Sequence, residues 1–145
     1  MKSIGIACDH AGFELKELLK ETLLAEGYEV QDFGTNSLAS TDYPDHVHPL
    51  AIAVNEGDLE VGIAICGSAQ GVCMVANKYP NVRAAVVWCE EIAKLSRQHN
   101  DANVICLPAR FLETEMANTC LNTFLSTEFE GGRHQDRVNK ISGDL

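Results

Sequence analysis

The 145-residue chain lacks the motifs that mark several common phosphate and nucleotide chemistries. No G-x-G-x-x-G dinucleotide fingerprint follows its first apolar segment. A Walker sequence is excluded because Gly71 is followed by Val72 and Cys73, not by lysine and a hydroxyl residue. The Cys-x5-Arg motif of low-molecular-weight tyrosine phosphatases is missing too, since counting from Cys66 the arginine position holds Val72.

Positive charge and long apolar runs are also scarce. The chain has 11 lysines and arginines against 21 acidic residues, a net charge of −10, so we expect no nucleic-acid partner. No apolar run approaches the roughly 18 residues of a membrane span, and we expect no membrane association. The six cysteines form no C-x-x-C pair and no Cys/His cluster with metal-ligand spacing. We therefore expect a cytoplasmic protein with reduced thiols and without a metal site.

Strand and helix patterns alternate along the chain, which predicts a single domain over residues 1–145. The predicted strands are Ser3–Cys8, Glu29–Phe33, Val61–Cys66, Val82–Trp88 and Asn103–Leu107. The predicted helices are Phe13–Glu26, His48–Asn55, Val72–Tyr79, Glu90–His99, Glu113–Ser126 and a short Arg137–Ile141, with a long loop over Gly34–Asp45. This alternation is typical of a three-layer α/β/α Rossmann-like fold with a five-stranded parallel sheet in the order 2-1-3-4-5.

In that order, the carboxyl ends of the first and third strands flank the ligand crevice. The first strand ends at Asp9 and His10, and the third ends at Cys66, followed by the loop Gly67-Ser68-Ala69-Gln70-Gly71. The backbone N–H groups of such a loop favour an anion, and a thiol base beside them suits chemistry that develops negative charge on oxygen. Tyr43 begins a turn that could line this crevice. A buried structural cysteine and a plain helix cap are the alternative interpretations of Cys66 and Asp9.

Two further polar segments are candidates for binding or catalysis. His99 and Asn100 end a predicted helix, where a histidine is either a proton carrier or a favourable helix-end charge. Arg133 and Arg137 lie four residues apart and share a face if helical. That face is either simply solvated or a phosphate clamp, which Arg110 could join.

Seven segments resemble, in order and spacing, the sugar-phosphate isomerase family that includes type B ribose-5-phosphate isomerase and the isomerases of lactose and allose breakdown. The segments are Ile4-Gly-Ile-Ala-Cys-Asp9-His10-Ala-Gly-Phe-Glu-Leu-Lys16, Asp42-Tyr-Pro-Asp45, Cys66-Gly-Ser68 with Gly71, Ala76-Asn-Lys78, Arg83-Ala-Ala85, His99-Asn-Asp-Ala-Asn-Val104 and Phe129-Glu-Gly-Gly-Arg-His134 with Arg137-Val138. The resemblance implies interconversion of ribose 5-phosphate and ribulose 5-phosphate in pentose phosphate metabolism, without metal or cofactor. It also implies a homodimer with shared active sites, and it allows a tetramer.

The resemblance also assigns roles to individual residues. It makes Cys66 the base that moves a proton between C2 and C1 through a cis-enediolate, and His99 the acid that opens the sugar ring. The remaining assignments are Asp9, Asn100 and Tyr43 at the sugar, Ser68 assisting Cys66, Gly67, Ala69, Gln70 and Gly71 at the oxyanion, and His10, Arg110, Arg133 and Arg137 at the phosphate.

Ala69 departs from the family pattern, which has glycine at this position of the loop. Because alanine does not easily adopt a positive φ, the loop is expected to be slightly reshaped if that conformation is needed. Two other functions stay open at this point. One is the same reaction on a six-carbon substrate such as allose 6-phosphate or galactose 6-phosphate, and the other is a non-catalytic sugar-phosphate sensor.

Overall fold

The computed structural model describes residues 1–143, in which strands and helices alternate as the sequence predicts. The strands are β1 (Ile4–Cys8), β2 (Val30–Asp32), β3 (Val61–Cys66), β4 (Ala84–Val86) and β5 (Val104–Pro108). The helices are α1 (Phe13–Ala25), α2 (Tyr43–Asn55), α3 (Gln70–Ala76), α4 (Glu90–Asn100), α5 (Thr114–Ser126) and α6 (Arg133–Ile141), with a 3-10 turn at His10–Gly12 before α1.

The five strands form one parallel sheet with helices on both faces, so the predicted three-layer α/β/α fold is confirmed. Alternation along the strands decides which residue meets which layer. Ile63 and Ile65 of β3 pack with the leucines of α1 and with α5. Ala64 and Cys66 face the opposite way, towards α2 and α3. Cys66 therefore points to the α2/α3 side of the sheet.

The strand order is β2-β1-β3-β5-β4, which differs from the predicted order in its last two strands. β5 is apolar and buried at all five positions, as a strand paired on both sides must be. β4 has only three residues, each half-buried, and it occupies the sheet edge. The swap leaves β1 and β3 adjacent, so the predicted crevice at their carboxyl ends is unaffected.

Three helices begin earlier than predicted: α3 starts at Gln70 rather than Val72, and α2 and α6 begin earlier by a full turn or more. α2 starts at Tyr43 rather than His48, because proline is tolerated in the first turn of a helix, where the missing N–H would have no partner. The predicted long loop therefore ends near Asp42. α6 starts at Arg133 rather than Arg137, and it places both arginines on one helix. No helix within the described part of the chain is long and apolar enough to cross a membrane.

One buried charge network lies between α1 and β2. The ammonium group of Lys16 is fully buried and lies 2.6 Å from the carboxylate of Asp32 and 3.1 Å from that of Glu17. Lys20 approaches Asp32 at 2.8 Å. Burial raises the pKa of Asp32, but the two ammonium groups and the N–H of Gly34 outweigh it, and the net effect lowers that pKa.

Candidate active site

A cleft of about 400 Å³ opens at the carboxyl ends of β1 and β3. The strand ends are tied together, since the N–H of Asp9 donates to the carbonyl of Ile65 at 3.2 Å. The residues that line the cleft are Asp9, Tyr43, Cys66, Gly67, Ser68, Gly71, Arg110 and Phe111. All but Phe111 were predicted site residues, so the structure brings half of the expected constellation into one place.

Cys66 is the last residue of β3 and is only 5% exposed, with its side chain at the cleft. The turn after β5 is fastened to this point, because Ala109 donates its N–H to the carbonyl of Cys66 at 2.9 Å and Arg110 donates to that of Gly67 at 3.1 Å. A Cβ atom at Gly67 would lie 3.2 Å from the guanidinium of Arg110. Glycine thus lets the arginine lie against the loop, at the cleft that Cys66 also lines.

The loop after Cys66 reaches α3 through a left-handed residue. Ala69 has φ 65° and is fully buried, so this alanine itself adopts the conformation that glycine adopts more easily. The conformation costs about 1–2 kcal/mol for an L-residue. The hydroxyl of Ser68 accepts a hydrogen bond from the N–H of Gln70 at 3.4 Å, at the start of α3. The expected loop is therefore present, with the strain held at Ala69.

Asp9 and His10 sit beside the cleft in different ways. One carboxylate oxygen of Asp9 accepts hydrogen bonds from the N–H groups of Ala11 and Gly12, at 3.0 and 3.2 Å. Asp9 therefore caps the 3-10 turn before α1, which matches the alternative interpretation of this residue as a helix cap, and it also lines the cleft. His10 accepts a hydrogen bond from the N–H of Thr41 at 3.2 Å and is not among the residues that line the cleft.

A second group of predicted residues forms around His99, at the contact between α4 and α6. The rings of His99 and His134 are stacked, with centroids 4.3 Å apart and planes inclined by 14°. Glu130 lies 3.7 Å from Nε2 of His99 and 3.6 Å from Nε2 of His134. Desolvation, followed by the nearby His99 and Arg133, lowers the pKa of His134, while Glu130 opposes the shift.

These three side chains are also a possible ligand set for a metal ion, since their donor atoms all lie within 4.8 Å of one another. Residue spacing carries no signal of this cluster, because His99 is far from the other two along the chain. The arrangement fits a metal poorly. The lone pair of an imidazole lies in the ring plane, and two stacked ring planes inclined by only 14° intersect far from both rings.

The two groups lie at opposite ends of the parallel strands: the cleft at their carboxyl ends and the His99 group at their amino ends. In β5, Val104 pairs with Gly62 and Pro108 pairs with Cys66 at the cleft. The amino end of β5 therefore lies about 13 Å from the cleft along the strand. His99 and Asn100 end α4 just before β5 begins. Asn100 lines a separate cavity with residues such as Asn77 and Arg83. Within one chain, the structure does not bring His99, Asn100, Arg133 or Arg137 to the cleft.

Three residues near these groups were not predicted from the sequence as site residues. Phe111 is 76% exposed and lines the cleft directly after Arg110. Glu130 and His134 contact His99. Both lie in the segment Phe129–His134 that carried the family resemblance, so the signal was in the sequence although no role was attached to it.

A doubly wound sheet with a thiol, a loop of backbone amides and a guanidinium at its switch point defines an α/β enzyme for small anionic substrates. Comparison with known proteins then gives the family. The chain belongs to the family described as ribose/galactose isomerase, whose sequence profile matches residues 4–141.

Individual relatives are similar over almost the whole chain. The ribose-5-phosphate isomerase B of Escherichia coli is 43% identical over 142 residues, which are 98% of this chain and 95% of the relative. The structure of ribose-5-phosphate isomerase B from Clostridium thermocellum has a TM-score of 0.95 at 45% identity, covering 97% of this chain and 95% of that one. The enzyme from Mycoplasma genitalium, with bound ribulose-5-phosphate, has a TM-score of 0.93 at 44% identity, covering 97% and 93%. The chain is therefore an isomerase.

Proposed function

We propose that this chain is one isomerase domain that interconverts ribose 5-phosphate and ribulose 5-phosphate in the cytoplasm, without metal or cofactor. The observation that carries the proposal is Cys66, a thiol at the cleft between a loop of backbone amides and Arg110. The relatives named ribose-5-phosphate isomerase B, one of them with ribulose-5-phosphate bound, support this choice of substrate.

The proposed reaction moves two protons within the substrate, one from C2 to C1 and one between the oxygens on these carbons, and it needs no other reactant. With the sugar open, the thiolate of Cys66 takes the proton from C2 and the carbonyl oxygen at C1 becomes an enediolate oxyanion. The N–H groups over Gly67–Gly71 stabilise that charge, and Ser68 assists beside Cys66. Cys66 then returns the proton to C1, the proton of the C2 hydroxyl passes to the oxygen at C1, and the carbonyl now at C2 makes the product the ketose. Asp9 and Tyr43 hold the sugar hydroxyls at the other wall of the cleft.

We infer that the complete site is shared between two chains in a homodimer. His99 opens the furanose ring by donating a proton to its oxygen, and Asn100, Arg133 and Arg137 bind the sugar phosphate. Within one chain these residues lie at the sheet edge opposite Cys66, so a second chain must supply them. His10 and Arg110 complete the phosphate site from the first chain.

The test of the reaction is isomerisation by the purified protein, offered ribose 5-phosphate, allose 6-phosphate and galactose 6-phosphate in parallel. We expect turnover of the five-carbon sugar, and a kcat that falls by about 10²–10⁴-fold in Cys66→Ala with KM little changed. Cys120→Ala, which removes a buried core thiol, is the matched control and should keep wild-type activity. Preference for a six-carbon sugar phosphate would show that ribose 5-phosphate is not the main substrate. Binding of a sugar phosphate without turnover would indicate a non-catalytic sensor.

The shared site is tested by mixing two inactive variants. Cys66→Ala and His99→Ala subunits, dissociated and reassociated in equal amounts, should regain about a quarter of wild-type activity, because half the dimers are mixed and each has one intact site. No recovery, with reassociation verified, would place both residues in one chain's site. A Cys66→Ala and Lys94→Ala mixture is the control for activity lost during dissociation and reassociation and should retain half of wild-type activity, since Lys94 is a surface residue of α4.

A further inference from the structure

Two thiols pack into the same cluster between α3 and β5, and neither is among the residues that line the cleft. Cys106 is fully buried in the middle of β5, on the face of the sheet that α2 and α3 cover. Cys73 lies on α3, packs against the same cluster and remains partly exposed. Strand β4 links the two positions, since Val86 pairs with Cys106 and the carbonyl of Ala84 lies 3.4 Å from the sulfur of Cys73. This pairs an accessible sulfur with one that solvent does not reach.

The surroundings of Cys73 differ from those of an ordinary core cysteine. Its sulfur lies 3.4 Å from the carbonyl of Ala84 and accepts a hydrogen bond from the side-chain amide of Asn77, also at 3.4 Å. The thiol of Cys106, then Asn77 and the N–H of Val86, stabilise the thiolate and lower the pKa of Cys73 to about 7. The hydrogen bond to Cys73 and burial raise the pKa of Cys106.

We propose that Cys73 and Cys106 are a redox-active pair, in which a hydroperoxide oxidises Cys73 and Cys106 converts the product into an intramolecular disulfide. The Cys73 thiolate attacks one peroxide oxygen, and the O–O bond breaks. With hydrogen peroxide this gives sulfenic acid and water. The sulfur of Cys106 then displaces the hydroxyl group, which leaves as a second water. In sum, two thiols lose two electrons and two protons, and one peroxide is reduced to two waters.

The disulfide would act on the cleft through the start of α3. The N–H of Cys73 donates to the carbonyl of Ala69 at 3.2 Å, so the first turn of α3 is linked to the loop Gly67–Gly71. Drawing Cys73 closer to β5 displaces that loop. This consequence rests on the proposed function, and we expect a loss of at least tenfold in kcat/KM that dithiothreitol reverses.

The formation of the disulfide is tested on the full chain with hydrogen peroxide. After a mild excess, the six free thiols should fall to four, and peptide mapping should find one Cys73–Cys106 crosslink that has lost two hydrogen atoms. In Cys106→Ala the reaction should stop at a sulfenic acid on Cys73, which dimedone traps. Cys89, another partly exposed thiol, is the internal control and should stay reduced. If Cys73 remains a thiol while Cys89 is modified, the proposal is wrong.

The activity arm uses Cys73→Ala beside the wild type. We expect this variant to keep most of its activity at a peroxide dose that inactivates the wild type at least tenfold. Equal losses in both proteins would assign the inactivation to another thiol, such as Cys66, and would overturn the link between the pair and the cleft. Because thiol counting and peptide mapping need no substrate, a chain without isomerase activity would still decide whether the disulfide forms.

Discussion

Replacing Gly71 with alanine would drive a methyl group into the ring of Tyr43. Gly71 is the second residue of α3, and a Cβ built there contacts the Cζ atom of Tyr43, with Cε1 at 2.6 Å and the hydroxyl oxygen at 2.7 Å. Real Cβ atoms do not come so close, so the ring or the helix must move. Overpacking of this kind costs about 1–3 kcal/mol. Alanine in a helix recovers about 0.5–1 kcal/mol relative to glycine.

The net effect of Gly71→Ala on the free energy of unfolding is therefore a loss of about 0.5–2 kcal/mol. In a Tyr43→Ala background the obstacle is gone, and the same substitution should stabilise by about 0.5–1 kcal/mol. Tyr43→Phe is the matched control, since it keeps the ring and should keep the loss. The cycle thus predicts a reversal of sign and a coupling of about 1–3 kcal/mol between the two positions.

Urea unfolding followed by circular dichroism measures all of these variants, at one protein concentration because assembly would contribute to stability. Kinetics provide a second readout. A displaced Tyr43 ring no longer lines the cleft as it does now, so the KM for the sugar phosphate should rise in Gly71→Ala. The same loss of stability in the Tyr43→Ala and wild-type backgrounds would refute the reasoning, because it would show that the methyl group does not meet the ring.

The charge network between α1 and β2 gives the remaining predictions. Asp32→Asn should lower the free energy of unfolding by about 3 kcal/mol, because it leaves the buried ammonium of Lys16 with only Glu17 as a partner. Lys16→Met removes the buried charge itself and should lower the free energy of unfolding by less than about 1 kcal/mol. Thermal and urea unfolding of the two variants compare these losses. Because the pKa values of Asp32 and Glu17 are lowered and that of Lys20 is raised, the network's stabilisation is present above the carboxylates' unfolded values. It should be lost as pH falls below about 4, and again above about 10.5 as Lys20 deprotonates, and urea midpoints across this range check both limits.

The sequence predicts the central strands of the sheet well, because buried parallel strands appear as continuous apolar runs. β3 matches its predicted bounds, Val61–Cys66, since a continuous apolar run flanked by charge and glycine leaves few choices. The predicted order of the last two strands was wrong because it followed their order along the chain. The fully buried β5 lies between β3 and β4, and the short, half-buried β4 lies at the outer edge. Tyr43 was predicted to begin a turn, although it starts α2.

The sequence also predicts one part of the candidate site better than the other. The switch-point rule correctly brought Asp9 and Cys66 to one cleft, because parallel strands end at a common edge. The same rule places His99 away from the cleft, because it ends the helix that precedes β5 and so lies at the amino ends of the parallel strands. The contacts of His99 with Glu130 and His134 follow from tertiary packing alone, and the roles of all these residues stay predictions.

The burial of Lys16 turns its amine into a chemical reporter. Amine-directed reagents need a solvent-exposed, deprotonated nitrogen, and the ammonium of Lys16 is fully enclosed. Its neighbour Lys20 binds the same carboxylate but is 25% exposed. Acylation of Lys20 therefore measures the fluctuation of a surface ion pair, whereas acylation of Lys16 requires α1 to leave the sheet. The ratio of the two labels distinguishes local breathing from the opening of the core within a single digest.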